Sequence, residues 1–236
     1  MNTRFESLPR RVEPEALDLL EADDPAARRS RSDLRRLHVA MTTVSIMKRA
    51  LGPQLDRSPL RILELGAGDG SLALRFARQF GPRQPLASWT LLDRQDIVSE
   101  ATLQGLRAAG WAARVVRADV FDFLERPTEG PWDIIVANLF LHHFQGEELQ
   151  RLMNAAARSA PVFFCCEPRR SATALVGSHL VGLLGAGAVT RQDAVLSVHA
   201  GFSGRELSAA WPDPAGWSLD EYSAGLFSHC LMARKR

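Results

Sequence analysis

Three glycines at alternate positions, Gly66, Gly68 and Gly70, carry the chemistry that this sequence displays most clearly. They follow an apolar run of strand type that ends in Glu64-Leu65, and they precede a segment with helical periodicity. Because glycine accepts positive φ and has no side chain, such a strand–turn–helix unit brings its backbone close to an adenosine-bearing ligand. The carboxylate of Glu64 favours a ligand with a cationic group over one with a pyrophosphate.

This turn needs a sheet that holds several strand ends together. Short apolar runs predict five strands, at Leu60–Leu65, Ser88–Leu92, Ala113–Arg117, Trp132–Asn138 and Val162–Glu167. Helical patterns lie between them, near residues 71–80, 96–109 and 146–159. Apolar strands that alternate with helices predict a parallel sheet covered on both faces, with right-handed crossovers. The ligand crevice of such a doubly wound α/β fold lies at the carboxyl ends of the strands.

The last part of the chain has a different pattern. Helical segments are predicted near residues 171–184, 190–199 and 204–211. They precede strand-like runs at Trp217–Tyr222 and Phe227–Ala233, and Ala224-Gly225 lies between these runs. The pattern predicts a terminal antiparallel hairpin.

Residues 1–58 form a predicted helical extension before the α/β core. A short helix is expected at Glu15–Leu20, and Asp24-Pro25 is a typical N-cap and first-turn pair for a longer helix that ends near Leu51. Its apolar residues fall on one stripe, whereas its arginines between positions 28 and 36 are expected to be solvated. We expect this extension to cover the core as a lid or simply to pack against it.

Composition limits the alternatives. A chain of 236 residues with 46% hydrophobic and 24% charged residues fits one globular domain. The net charge of +2 is too small to predict a nucleic-acid surface by itself. No secretory signal pattern and no apolar run of about 20 residues is visible, so we expect a cytoplasmic protein without a membrane span. The three cysteines do not make a disulfide framework and are expected to be buried thiols.

Residues at four strand ends resemble the motifs of one enzyme family. Glu64–Gly70 resembles the first motif of the class I S-adenosylmethionine-dependent methyltransferases, and Leu91–Asp93 and Ala118–Phe121 fall where that family has its next two signatures. Ala137–Phe144 is similar to the LHH segment of the ubiquinone-type, small-molecule branch. The resemblance implies a methyltransferase domain at 59–236, with a doubly wound, Rossmann-like sheet of seven mostly parallel strands and one antiparallel C-terminal strand.

The same resemblance implies S-adenosylmethionine as cofactor and gives roles to the strand-end residues. The glycines would pass close to the methionine and ribose parts, and Glu64 would lie near the ammonium, directly or through water. Asp93 would accept both ribose hydroxyls, Asp119 would accept from the adenine amine, and the Val120 backbone would meet a ring nitrogen. The Asn138 backbone carbonyl would face the ammonium. The alternative for Asp93, Asp119 and Asn138 is an ordinary loop or turn role.

Two adjacent histidines after the fourth strand are candidate catalytic residues. His142 and His143 lie where the resemblance implies the transferable methyl, and histidine titrates near neutral pH, so either could act as a general base, with His143 favoured. A purely structural role is the alternative. Glu167, at the end of the fifth strand, is expected to face the same crevice and orient the acceptor. His179 and His199 belong to the helical segment 171–211, which is expected to shape the acceptor pocket. No metal site is predicted.

A resemblance of the whole chain to methyltransferases of bacterial secondary metabolism implies a role in such metabolism. The methyl acceptor is expected to be an apolar or aromatic small molecule, methylated at oxygen in preference to nitrogen or carbon. The apolar segment 172–189 and the later Phe202, Trp211 and Trp217 support this expectation. Enzymes that methylate amino groups of DNA have prolines in the turn after the fourth strand. That turn is Asn138–Leu141 here and contains none, so DNA is not expected as a partner.

Three other interpretations stay open. A nicotinamide dinucleotide would match Gly68–Ala73 as G-x-G-x-x-A, although Glu64 would repel its pyrophosphate and dehydrogenases lack the terminal hairpin. An RNA methyltransferase would need a basic face, for which Arg169, Arg170 and Arg191 are the candidates. A methyltransferase-like binding subunit would bind the cofactor without turnover. The sequence does not predict the oligomeric state.

Overall fold

The computed structural model describes residues 8–55, 60–80, 87–125 and 131–236. Its strands are β1 (Leu60–Leu65), β2 (Ala87–Asp93), β3 (Trp111–Arg117), β4 (Ile134–Asn138), β5 (Val162–Pro168), β6 (Trp217–Ala224) and β7 (Ser228–Lys235). They form one sheet in the order β3-β2-β1-β4-β5-β7-β6. Strands β1 to β5 pair in parallel, and β7 pairs antiparallel with both β5 and β6. The predicted seven-stranded sheet with one antiparallel C-terminal strand is confirmed.

Ten α-helices are found among the described residues. They are α1 (Ala16–Leu19), α2 (Pro25–Ala40), α3 (Thr43–Leu51), α4 (Ser71–Phe80), α5 (Glu100–Ala108), α6 (Val120–Glu125), α7 (Gly146–Ser159), α8 (Ala172–Leu180), α9 (Ala188–Ala200) and α10 (Glu206–Ala210). Short 3₁₀ turns include Leu141–His143 after β4 and Val181–Leu184 after α8. The predicted boundary between residues 58 and 59 lies outside the described residues.

The core forms two layers because β1 and its neighbours are apolar on both faces. In β1, Ile62 lies in a buried layer with residues of α3, α4 and α5, whereas Leu63 and Leu65 lie in a second layer with residues of α7 and α10. The first layer contains a cluster of aromatic rings, in which the Trp89 and Trp111 ring centroids are 5.6 Å apart. Burial of both faces is the reason that the strands carry apolar runs instead of alternating residues.

The long N-terminal helix of the sequence prediction is wrong in one respect. It is interrupted after Ala40, and Thr42 has a left-handed φ of 54°. Consecutive β-branched residues at 42–44 lower helix propensity at this position, which favours a break there. The predicted apolar stripe divides accordingly: Val44, Met47 and Leu51 of α3 are buried in the core, whereas Leu34 and Leu37 of α2 are only half-buried.

Two other differences from the prediction have local causes. Helix α5 begins later than expected because the Ser99 side chain accepts a hydrogen bond from the Thr102 amide and caps the helix at that position. Helix α6 was not predicted, since it has only six residues and a short helix has little periodicity. Across the described ranges, no helix has both the length and the apolar character that crossing a bilayer requires.

Candidate active site

The glycine turn lies at the carboxyl end of β1 and follows the predicted conformation. Gly66, Gly68 and Gly70 have φ values of 66°, 55° and 70°. A Cβ on Gly66 would lie 2.2 Å from a ring carbon of Phe140, so any larger residue would collide with that ring. A Cβ on Gly68 would meet nothing within 4 Å. The turn therefore combines a tightly packed first glycine with a second one that lies open to a ligand.

Asp93 connects the end of β2 to this turn. Its Oδ2 accepts a hydrogen bond from the Gly68 amide at 2.8 Å, and its Oδ1 accepts from the Gln95 amide at 2.9 Å. The side chain is half-exposed at the carboxyl edge of the sheet. This geometry places a fixed carboxylate beside the glycine turn, and its predicted contact with ribose hydroxyls stays a prediction.

Glu64 has a different environment from the one that the sequence indicates. Its side chain is 2% exposed, and its Oε2 accepts a hydrogen bond from the Trp89 indole at 2.9 Å. Burial raises the pKa of Glu64 to about 8, although the Trp89 hydrogen bond acts against this shift. The carboxyl group is therefore mostly protonated at neutral pH, whereas the predicted contact with an ammonium requires the carboxylate.

The next strand end shows the helix that the sequence analysis missed. Asp119 Oδ1 accepts a hydrogen bond from the Phe121 amide at 2.8 Å, so Asp119 stabilises the first turn of α6. Its side chain is exposed, whereas Val120 is 5% exposed and belongs to the core. A helix-start role for Asp119 is thus observed, and the predicted contacts of both residues with adenine stay predictions.

Asn138 ends β4 next to a residue that the sequence analysis did not find. The Asn138 Nδ2 lies 3.4 Å from Nε2 of His38, which comes from α2. Burial, together with the charge of Arg75, lowers the pKa of His38 to about 4, so its imidazole is neutral. Oδ1 of Asn138 is buried and has no hydrogen-bond partner among the described residues. No spacing in the sequence relates His38 to Asn138, because the contact depends on how α2 packs.

Helix α2 is held against the carboxyl edge by its arginines. Arg35 forms a 2.6 Å ion pair with Asp69 of the glycine turn. Arg31 donates a 3.0 Å hydrogen bond to the Gln95 side chain after β2. The prediction that these arginines are simply solvated is therefore wrong for Arg31 and Arg35, since folding brings their side chains to polar partners at strand ends.

His142 forms the centre of a buried triad with two carboxylates. Its Nδ1 lies 2.9 Å from Glu167 Oε2, and its Nε2 lies 3.2 Å from Glu15 Oε1. Burial alone would lower the pKa of His142, but the hydrogen bonds and charges of the two glutamates outweigh burial and raise it to about 9. The Glu15 side chain also accepts a hydrogen bond from Ser197 of α9. A protonated imidazole in this position is unsuited to act as a general base.

Glu167 does not face the crevice, which corrects the expectation that it orients an acceptor. Its side chain is fully buried and accepts hydrogen bonds from the amides of Phe140, Leu141 and His142 as well as from the His142 ring. Four donors around one carboxylate fix the turn after β4. Glu167 therefore holds the turn that carries the two histidines from its buried side.

His143 lies on the more open side of the triad. Its ring centroid is 4.2 Å from that of His142, and its Nδ1 lies 3.3 Å from Oδ2 of Asp18 in α1. The His143 side chain is 26% exposed and that of Asp18 is 40% exposed. Burial and the neighbouring charge of His142 lower the pKa of His143, so its imidazole is neutral at pH 7. Neither Glu15 nor Asp18 was identified from the sequence.

The spacing of this cluster also bears on the prediction that no metal is bound. One ligand atom each from Glu15, His142 and His143 lies within 4.8 Å of the others. This spacing is compatible with a small cation as well as with the hydrogen bonds described above. The absence of a metal stays a prediction.

The remaining candidate residues have other environments. The aromatic residues Phe202, Trp211 and Trp217 are 1%, 3% and 5% exposed and pack in the core layer below α7 and α10, so they cannot line an acceptor pocket as expected. His179 is exposed on α8. The backbone carbonyl of His199 accepts a hydrogen bond from the Arg11 amide, which fastens the N-terminal segment to α9.

Comparisons with known proteins agree with this architecture. Residues 62–160 match the family described as "Methyltransferase domain". An O-methyltransferase family protein from Burkholderia thailandensis has the same fold, with a TM-score of 0.63 and 14% identity over 91% of this chain and 61% of the other. This chain therefore spans less than two thirds of that protein's length. No curated protein sequence matches the chain significantly.

Two further structural relatives contain the demethylated cofactor. The plantazolicin methyltransferase BpumL, in complex with a triazolic desmethylPZN analog and SAH, has a TM-score of 0.65 and 15% identity over 90% of this chain and 92% of the other. Magnesium protoporphyrin IX methyltransferase from Synechocystis PCC 6803, with bound SAH, has a TM-score of 0.53 and 17% identity over 87% and 86% of the two chains.

Residues 62–160 therefore contain a methyltransferase domain. The family match covers the glycine turn and the ends of β1 to β4. The site at these strand ends also fits S-adenosylmethionine on its own geometry. The open side of Gly68 leaves room for the ligand, and the unpartnered Asn138 Oδ1 is an acceptor suited to a cationic group. The nicotinamide dinucleotide alternative is therefore dropped.

Two of the three arginines that the RNA interpretation depends on have partners within the fold. Arg170 is 5% exposed and forms an ion pair with Glu206, so it cannot contact RNA. Arg169 donates a hydrogen bond to the Gly225 carbonyl. Of the three arginines on which that interpretation depends, Arg191 alone is exposed.

Proposed function

We propose that this methyltransferase transfers the methyl group of S-adenosylmethionine to an oxygen atom of an apolar or aromatic small molecule. The observation that carries the proposal is the position of α2 across the carboxyl edge of the sheet. Its Arg35 pairs with Asp69, and its His38 contacts Asn138, so the N-terminal extension covers the strand ends. A covered site favours a small acceptor, because a folded protein or a nucleic acid would have to displace this helix.

The exposed apolar residues support an apolar acceptor. Among the described residues, seven large hydrophobic side chains are exposed, and four of these belong to one segment: Val176, Leu180, Leu183 and Leu184. This segment follows the end of β5, on the edge of the sheet that carries the site. Half-buried apolar residues of α2, including Leu34 and Leu37, add further apolar surface near His38.

Methylation at oxygen is supported by the histidine pair. A hydroxyl must lose its proton when its oxygen attacks the methyl group, and a neutral imidazole near the crevice can accept that proton. The Burkholderia relative is described as an O-methyltransferase family protein, which agrees with the proposal at the level of the fold. Placement in the ubiquinone-type branch, a role in secondary metabolism and a cytoplasmic location are further parts of this proposal.

The cofactor-binding residues are proposed as predicted from the sequence. They are Glu64, Gly66, Gly68, Gly70, Asp93, Asp119, Val120 and Asn138. Asp93 gives the sharpest test, because its carboxylate is fixed by two amides next to the open glycine. We expect Asp93→Ala to weaken S-adenosylmethionine binding by about 1–3 kcal/mol, or roughly 5- to 150-fold, through loss of the ribose hydroxyl acceptor. Calorimetry with the full chain measures this change.

The control is Asp96→Ala, which removes an exposed carboxylate three residues further along the chain. Equal affinities for wild type and Asp93→Ala would contradict the ribose assignment. Incubation of the wild type with labelled methyl donor and cell extract then tests turnover. Label in small extractable molecules supports the proposal, and label in RNA supports the RNA interpretation. Binding of the cofactor without any labelled product supports an inactive binding subunit.

A further inference from the structure

We propose that His143 is the general base of this methyltransferase and that Asp18, from the N-terminal extension, is the residue that positions it. The inference rests on the proposed transfer to oxygen. The structure separates the two histidines into an inner and an outer position. His142 is 3% exposed and has a carboxylate at each ring nitrogen, whereas His143 is 26% exposed and has one carboxylate beside Nδ1.

The inner triad determines the state of the outer histidine. Glu15 and Glu167 hold the His142 ring from both sides, and the His142 and His143 rings lie 4.2 Å apart at an interplanar angle of 34°. A second proton on His143 would place two cations face to face. His143 therefore stays neutral and keeps a lone pair for the acceptor, while His142 carries the positive charge between its two carboxylates.

Asp18 selects the nitrogen that carries this lone pair. Its Oδ2 lies 3.3 Å from Nδ1 of His143 and favours the tautomer with hydrogen on Nδ1, which leaves Nε2 free to accept a proton. The charged groups that face His143 are Asp18 and Glu15 from the extension, His142 from its own turn and Glu167 from β5. The positive charge of Arg94, after β2, favours the ionised form of Asp18.

In the proposed transfer step, Nε2 of His143 takes the proton of the acceptor hydroxyl while the hydroxyl oxygen forms a bond to the methyl carbon. The carbon–sulfur bond breaks, and its electron pair stays on sulfur, which loses its positive charge. His143 then releases the proton to water through its exposed side.

The first test uses the full chain without an acceptor. Nitrogen-15 shifts of the histidine rings report which nitrogen carries hydrogen, with assignments from His142→Gln and His143→Gln. We expect wild-type His143 to be neutral with hydrogen on Nδ1 at pH 7, and we expect Asp18→Asn to shift the population toward hydrogen on Nε2. Asp23→Asn, an exposed acid on the same segment, serves as the control and leaves the tautomer unchanged. An unchanged tautomer in Asp18→Asn would overturn the assignment of Asp18.

The second test uses turnover with a phenol as the methyl acceptor. His143→Ala and Asp18→Asn should each lower kcat, His143→Ala by about 100-fold, with little change in S-adenosylmethionine affinity. The double variant should be no slower than His143→Ala alone, since Asp18 acts through His143. The deficit of His143→Ala should shrink above about pH 10, where the phenol ionises without a base. A deficit that is constant with pH would show that His143 has only a structural role.

Metal binding is the competing explanation for the cluster of Glu15, His142 and His143, and a separate experiment tests it. Wild type is titrated with Zn²⁺ and Mn²⁺ and assayed with and without a chelator. Turnover that is insensitive to the chelator supports the general base. Stoichiometric metal binding together with loss of turnover in the chelator would overturn the proposal, because His143 would then be a ligand. Should the wild type methylate no acceptor, the proposed function fails, and the ring-nitrogen measurement still decides the role of Asp18.

Discussion

Glu64 illustrates how burial alters a charged residue in a ligand site. The sequence indicates a carboxylate at the end of β1, whereas the structure surrounds it with the core and the Trp89 indole, and its pKa rises to about 8. A cationic cofactor nearby would favour the ionised form again. Binding of S-adenosylmethionine at neutral pH should therefore be accompanied by release of a proton from this group.

The raised pKa of Glu64 leads to a prediction on stability. Because the folded-state pKa of about 8 exceeds the unfolded value of 4.5, this group contributes its full stability below about pH 4.5 and loses it as the pH rises through 8. Glu64→Gln keeps an acceptor for Trp89 and removes the titration. We expect the Tm of wild type to fall by at least about 2 °C relative to Glu64→Gln between pH 6 and pH 9.

Calorimetric scans of both proteins at several pH values measure this difference. Glu148→Gln, which changes an exposed glutamate on α7, is the control and should follow the wild-type curve. Parallel curves for wild type and Glu64→Gln would show that Glu64 is ionised in the free protein.

At the scale of elements, the glycine turn requires glycine for two different reasons. Both Gly66 and Gly68 have positive φ, but a Cβ at Gly66 would collide with Phe140, whereas a Cβ at Gly68 would touch nothing. Gly66 thus serves packing as well as conformation, and Gly68 serves conformation and the approach of the ligand.

This contrast predicts different effects of the same substitution. Gly68→Ala should lower the free energy of unfolding by about 1–2 kcal/mol through the left-handed conformation alone. Gly66→Ala should lower it further, since the Phe140 ring must also move. Denaturation in urea, with each variant compared to wild type, measures both values. Equal decreases in the free energy of unfolding for the two variants would show that the Phe140 contact does not contribute to stability.

At the scale of the whole molecule, the N-terminal extension is part of the folded core. Met47 is 1% exposed and Leu51 is fully buried in the same layer as Trp89 of β2. The segment before α2 is fastened by Arg10, whose side chain donates hydrogen bonds to the carbonyls of Ala200 and Phe144. The extension should therefore unfold together with the sheet.

Met47→Ala tests this cooperativity. Removal of the buried side chain should lower the free energy of unfolding of the full chain by about 2–5 kcal/mol in one transition. Ser45→Ala, on the exposed side of α3, is the control and should change it by less than about 0.5 kcal/mol. Two separate transitions in Met47→Ala, with the second equal to wild type, would mean that the extension folds independently.

How much the sequence could predict depends on whether a signal is local. Each strand and the glycine turn carry their pattern in a few consecutive residues, so the sheet, its order of elements and the strand-end residues could be predicted. Glu15, Asp18 and His38 could not, because they reach the site only when α1 and α2 pack over the strand ends. Glu167 was identified, but its orientation depends on donors that the folded turn supplies.

The left-handed Thr42 between α2 and α3 has a consequence for the catalytic cycle. On one side of this joint, α3 is anchored in the core through Met47. On the other side, α2 contacts the glycine turn through polar contacts such as the Arg35 ion pair. We expect α2 to move about this joint while α3 keeps its place in the core. Release of the spent, uncharged thioether should then require movement of α2. We therefore expect kcat to fall as solvent viscosity rises and to depend less on the nature of the nucleophile.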